Sequence, residues 1–184
     1  MTFRNLPGRV FGPALLAALA LGQSGVAQAG QGTGTTSTIV VRPLSFFPVD
    51  DLAFGSLLSG PTAGTVTLAP DGTRTSTGGA TPIGGGYTPA RFAGMGTYQQ
   101  IVNISMAATP ITITRVGGTQ TMQVRTFTIG SSPSTQVLTT TPRSFSIGSP
   151  TGVFLFAVGA QLVVGANQAP GEYSGTYAVV LNYM

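Results

Sequence analysis

The chain has 184 residues, of which 42% are hydrophobic and only 7% charged; it contains no cysteine and no histidine. Its basic residues are eight arginines with no lysine, set against the four acids Asp50, Asp51, Asp71 and Glu172. The arginines are scattered, with no basic stripe interleaved with aromatics, so nucleic acid is not an expected partner. So little charge on so apolar a chain also argues against disorder.

The first 29 residues read as a secretory signal. Arg4 and Arg9 open it, residues 10–21 form an apolar run, and Ala27-Gln28-Ala29 offers small residues to a signal peptidase. That run is too short to span a bilayer, and no later apolar run is long enough, so no transmembrane segment is expected in residues 30–184. The expected localisation is export, through the periplasm in transit to the cell surface. An exported domain without disulfides must draw its stability from its core or from a partner.

The remainder reads as strands. Thr, Val, Ile, Phe and Tyr recur with period two, and Gly or Pro breaks the pattern about every ten residues, as in an all-β sandwich or barrel. Residues 30–48 form an N-terminal extension or a first strand, and residues 49–184 a β-sandwich domain. Within the extension, residues 37–46 are extended and apolar, with Ile39, Val41, Leu44 and Phe46 as their anchors; Pro43 confines such a strand to an edge. Leu52 and Phe54 share a face in residues 49–58. Residues 64–69 alternate, Pro70-Asp71-Gly72 turns the chain, and residues 73–77 return as a polar strand. The Gly-rich residues 76–89 read as a loop.

Further on, Val102, Ile104 and Met106 share one face of residues 98–106. Residues 111–116 alternate up to a turn at Gly117-Gly118. In residues 120–129 strict alternation puts Met122 and Val124 opposite Phe127 and Ile129. Residues 131–134 read as a loop, and Phe145 and Ile147 mark a short strand. Residues 153–158 are nearly all apolar, as in a strand buried on both faces. Residues 172–184 read as one last strand with Tyr173, Gly175, Tyr177, Val179, Leu181 and Tyr183 on one face. A terminal strand this apolar must be central, or its edge must be covered.

Catalytic chemistry is sparse. Histidine, cysteine and lysine, the usual acids, bases and nucleophiles, are missing, so no enzyme activity and no cofactor are expected. Soft-ligand metal binding is excluded for the same reason. Asp50 and Asp51 point to opposite faces if extended and read as a solvated turn. The glycines at 78–79 and 84–86 lack the Lys-Ser/Thr of a phosphate loop. The triplet Asn103-Ile104-Ser105 reads as a chance sequon inside a strand.

Two features at the C-terminus go together: Tyr183 is penultimate, and Gly171 is fourteenth from the end. With Tyr173 and Tyr177 between them, this stretch resembles the C-terminal signature of pilins assembled by the chaperone–usher route. Residues 51–57, 64–75 and 158–183 resemble, over most of the chain, an uncharacterised family of secreted β-domains of Gram-negative bacteria. The pilin resemblance implies an immunoglobulin-like (pilin-like) sandwich that lacks a strand and is completed by a donor strand. It implies a groove bordered by the last strand, with Gly171, Tyr173, Tyr177, Val179, Leu181 and Tyr183 on the acceptor side. Ile39, Val41, Leu44 and Phe46 would be donor residues for a neighbour. The implied partners are copies of itself or other fibre subunits, a periplasmic chaperone and an outer-membrane usher, and the implied function is that of a fimbria-like structural subunit supporting adhesion. Pro43 and the missing pilin disulfide depart from the pattern, and residues 37–46 could equally be the domain's own first strand.

Two other readings remain open. One is a self-complete secreted sandwich that binds a surface polymer or forms an envelope layer, with residues 79–96, including Tyr87, Arg91, Phe92 and Met95, as its contact loop. The other is a small eight-stranded outer-membrane barrel.

Overall fold

The computed structural model describes residues 35–130 and 135–184; the expected signal and the loop at 131–134 lie outside the described residues. The described residues contain twelve strands and no helix. They are β1 (Ser45–Asp50), β2 (Ser56–Leu68), β3 (Arg74–Gly84), β4 (Ala90–Met95), β5 (Ile101–Met106), β6 (Ile111–Arg115), β7 (Thr121–Gly130), β8 (Gln136–Leu138), β9 (Arg143–Ser146), β10 (Val153–Val164), β11 (Tyr173–Ser174) and β12 (Val179–Tyr183).

The strands form two sheets. The larger runs β1-β4-β10-β7-β6-β11, with β2 joining β10 to β3 and β8 lying beside β7; the smaller is β12-β5-β9. All pairings are antiparallel. This is an all-β sandwich, one of the two forms the alternation allows, consistent with the immunoglobulin-like arrangement that the pilin resemblance implies. The two sheets do not close on each other, so these residues do not form the eight-stranded barrel.

Strand β10 organises the larger sheet. Its first half pairs with β4 and its second half with β2 on the same side, while β7 runs along the other. The inward residues Val158, Ala160, Leu162 and Val164 are buried with Val66, Val124, Phe127 and Ile129, and β5 closes the core from above with Val102, Ile104 and Met106. At one end Phe92 stacks on Phe156 with ring centroids 5.0 Å apart, and Phe46 lies 6.0 Å from Phe92. Burying side chains of this size contributes about 1.5–3 kcal/mol each, which explains how a chain without disulfides holds together.

Several sequence expectations need correction. Residues 76–89 are not a loop: most of them belong to β3, where Gly78 and Gly79 lie close against the backbone of β2. Phe127 and Ile129 share the inner face with Val124 instead of opposing it. Thr126 adopts a left-handed backbone (φ 52), so two residues of β7 stand against one of β10, and the parity of the strand is reset. Strand β10 is not buried on both faces at its start, because Leu155 is 74% exposed on the outer side. Residues 79–96 are mostly strand, and Phe92 is a core residue. The last segment is two strands: β11 pairs with β6 in the larger sheet, and β12 pairs with β5 in the smaller.

Strand β1 lies at one edge of the larger sheet. It carries Pro48, and its register with β4 slips between Pro48 and Asp50. Asp50 forms an exposed ion pair with Arg91 of β4, at 3.6 Å.

Candidate groove beside the C-terminal strand

The site is built by the crossing of the C-terminal segment from one sheet to the other. Tyr173 is fixed first: Gln168 Nε2 donates to its hydroxyl at 2.7 Å, and that hydroxyl donates to the Ala169 carbonyl at 2.8 Å. Just before it, Gly171 holds a left-handed backbone (φ 147), and a Cβ there would lie 2.5 Å from Arg115 Nε. Gly175 passes close over β6, where a Cβ would meet Ile113 and the Thr112 carbonyl at about 3 Å. Tyr177 then turns inward against Phe127, with ring centroids 5.8 Å apart. Burial, reinforced by the charge of Asp51, pushes the Tyr177 phenol up to about 12.

A groove of about 1130 Å³ follows this crossing. Its floor is the inner face of the larger sheet at Ile111, Ile113, Met122, Val124, Leu162 and Val164. One wall is residues 168–177, and the other is residues 51–59, which carry Leu52, Phe54 and Leu57. The second wall makes little ladder of its own between β1 and β2. Residues 51–55 are held by a bridge between Ala53 and Thr88, by Thr88 Oγ1 donating to the Asp51 carbonyl at 3.0 Å, and by Arg74 NH1 donating to the Phe54 carbonyl at 2.8 Å, while residues 56–59 pair with β3. Tyr87 lies under that guanidinium, 3.9 Å from ring centroid to Cζ. The lining holds two acids, Asp51 and Glu172, and no arginine.

The wall at 168–177 runs directly into β12. Among the described residues β12 pairs with β5 alone. Ala107 N donates to the Ala178 carbonyl and Met184 N to the Ile101 carbonyl, so alternate residues 178–184 turn their backbone groups toward β5. The N–H and C=O groups of Val179, Leu181 and Tyr183 therefore face the other edge, while their side chains are half-buried against the core. Among the described residues the strand is therefore an edge, and none of them covers it as the sequence leads one to expect.

Of the acceptor residues expected from sequence, Tyr173 and Tyr177 line the groove together with Gly171, and Val179, Leu181 and Tyr183 continue it as the open edge. Tyr183 has a further role. Its hydroxyl accepts from Thr97 N and donates to the Arg42 carbonyl, both at 2.8 Å. Arg42 N donates to Thr97 Oγ1, and Arg42 NH1 reaches the Thr151 carbonyl at 3.2 Å. The donor candidates divide at this clamp. Leu44 and Phe46 pack against their own core, and Phe46 lies in β1. Ile39 and Val41, with Val40 between them, lie before it outside any strand; Ile39 is 80% and Val41 41% exposed. The clamp and the wall at 51–59 were not foreseen from sequence.

Asp50 pairs with Arg91, whereas Asp51 lines the groove and Asp50 does not. Among the described residues no group of three or more acids, histidines or cysteines could hold a metal ion. No curated protein matches the chain. A family model described as a domain of unknown function (DUF4402) matches residues 44–183, so that its span opens at Leu44, just after the clamp, and ends at Tyr183. The chain therefore belongs to the DUF4402 family.

Proposed function

We propose that this protein is an exported structural subunit of a fimbria-like surface fibre, assembled by adding a strand from another molecule to the open edge of β12 and the groove beside it. The observation that supports the reading is a coincidence of two lacks among the described residues: the outward backbone groups of Val179, Leu181 and Tyr183 have no strand partner there, and no described strand lies over the adjoining floor of Ile111, Ile113 and Met122. An inserted strand satisfies the first with ladder hydrogen bonds and the second with side chains, which is the logic of β-strand addition.

A segment carrying Ile39 and Val41 on one face would gain about 3–6 kcal/mol from those two side chains, before ladder hydrogen bonds are added. That is a large share of an ordinary domain's stability. Its role as donor, its handling by a periplasmic chaperone and an outer-membrane usher, and its support of adhesion belong to this reading.

The test is a synthetic peptide of residues 30–42 added to the purified protein. At a hundredfold excess over its dissociation constant, the peptide should stabilise the fold by about 2.7 kcal/mol. A melting temperature unmoved by the peptide, together with a protein that stays monomeric at high concentration, refutes the reading.

A further inference from the structure

The outer side of the larger sheet, turned away from the core, carries an apolar patch of its own. It spans β1, β4 and the first half of β10, which are paired in register. One transverse row is Phe47, Ala93 and Leu155, and the next is Ser45, Met95 and Val153. Phe47 is 61% and Leu155 74% exposed, and Met95 and Val153 are exposed beside them. Contiguous apolar surface of this kind marks an interaction site. The neighbouring row bounds the patch with charge. The register slip between Pro48 and Asp50 places Asp50 opposite Arg91, where the two form their exposed ion pair. No other residue of these three strands is charged.

The chemistry narrows the occupant. One acid and one arginine leave the patch without net charge, so it does not select an anionic membrane or another polyanion. Apart from Ser45, the two apolar rows offer a polysaccharide no hydrogen-bonding side chain. Their profile is instead self-complementary. In the row Phe47, Ala93, Leu155 the small residue stands between two large ones, with adjacent strands about 4.8 Å apart. A second copy can be turned onto this face about a two-fold axis that lies between β1 and β4 and runs along them. Phe47 of each copy then lies over Ala93 of the other, and each Leu155 flanks the other copy's Phe47 on the side of the sheet edge. The two Phe47 and two Leu155 side chains fall next to one another in a single layer. The same axis sets each Asp50 over the other copy's Arg91. Sheets that pack face to face, about 10 Å apart, interdigitate their side chains in this way.

We infer that this outer face joins two copies of the chain in a two-fold dimer, with Phe47 seated over Ala93 and Asp50 paired across the interface with Arg91. The contact uses neither β12 nor the groove, so it stands or falls independently of strand addition. It also closes at two copies, whereas strand addition propagates.

Sedimentation equilibrium of the purified protein should resolve a monomer–dimer step. Leu155→Arg, at a position outside the core, should weaken that step at least about tenfold by bringing an unpaired charge into the interface. The response to the peptide of residues 30–42 should not change. Asp50→Arg and Arg91→Asp should each weaken dimerisation about tenfold, because like charges then face each other. An equimolar mixture of these two variants should pair as tightly as the unaltered protein pairs with itself. An ion pair acting only within one copy gives no such recovery. The interface is overturned by a protein that shows no two-copy step at high concentration, by a Leu155→Arg variant that dimerises like the unaltered protein, or by a mixture that pairs no more tightly than its components.

Discussion

Tyr177 rests on Phe127 with ring centroids 5.8 Å apart, tying the sheet-crossing segment to the most deeply buried aromatic of the larger sheet. Desolvation, with Asp51 facing it, keeps the Tyr177 phenol protonated up to about pH 12. The unfolded chain releases that proton near pH 10. Between those two values the folded state holds the proton more tightly than the unfolded state, so stability is intact below about pH 10 and falls as the pH rises toward 12. Tyr177→Phe should flatten this alkaline decline relative to the unaltered protein. Denaturant midpoints at pH 9, 10, 11 and 12 for the two proteins check it; parallel curves count against it.

Thr126 carries a β-branched side chain on a left-handed backbone, a conformation such residues rarely adopt. Thr126→Gly should relieve that strain at the cost of some chain entropy, for a net gain of about 1 kcal/mol. The expected rise in melting temperature is about 2–4 °C. A drop would mean that the Thr126 side chain contributes more than its backbone costs.

Tyr183→Phe deletes both hydrogen bonds of the clamp while keeping the ring. Thr97 N and the Arg42 carbonyl each lose a partner, for an expected loss of about 1–2 kcal/mol. Hydrogen exchange should speed at the Thr97 amide, with the β5 amides unchanged. Unchanged protection at Thr97 refutes the clamp.

If residues 1–29 are a secretory signal, the exported protein begins at Gly30. Mass spectrometry of the protein recovered from outside the cytoplasm should find a chain shortened by those 29 residues. Recovery of the intact N-terminus would remove the export step from the proposed function.

Much of the architecture was legible because period two survives wherever one face is buried. Val102, Ile104 and Met106 fall on the inner face of β5 as alternation predicts, and Pro70-Asp71-Gly72 turns β2 into β3. Alternation failed where the backbone resets it. Thr126 is not a glycine, so nothing in the letters marks the bulge that returns Phe127 to the core. The split of residues 172–184 into β11 and β12 was hidden for a different reason: Gly175 and Tyr177 keep the parity of a single strand, while the chain between them changes sheets. Residues 76–89 misled through their glycines. Several of these are required by the close approach of β3 to β2, not by a turn. At the site, the tyrosines of the open edge stood out in sequence. The opposite wall did not, because it rests on contacts between residues as far apart as Asp51 and Thr88.

The two sheets treat their margins differently. Pro48 deprives β1 of an amide, and the register slip beside it bends the strand away from a straight template. A stray chain meeting that margin finds a broken row of hydrogen-bonding groups, whereas β12 offers an unbroken one. Between crowded copies of this protein, backbone pairing at β12 should therefore be favoured over pairing at β1.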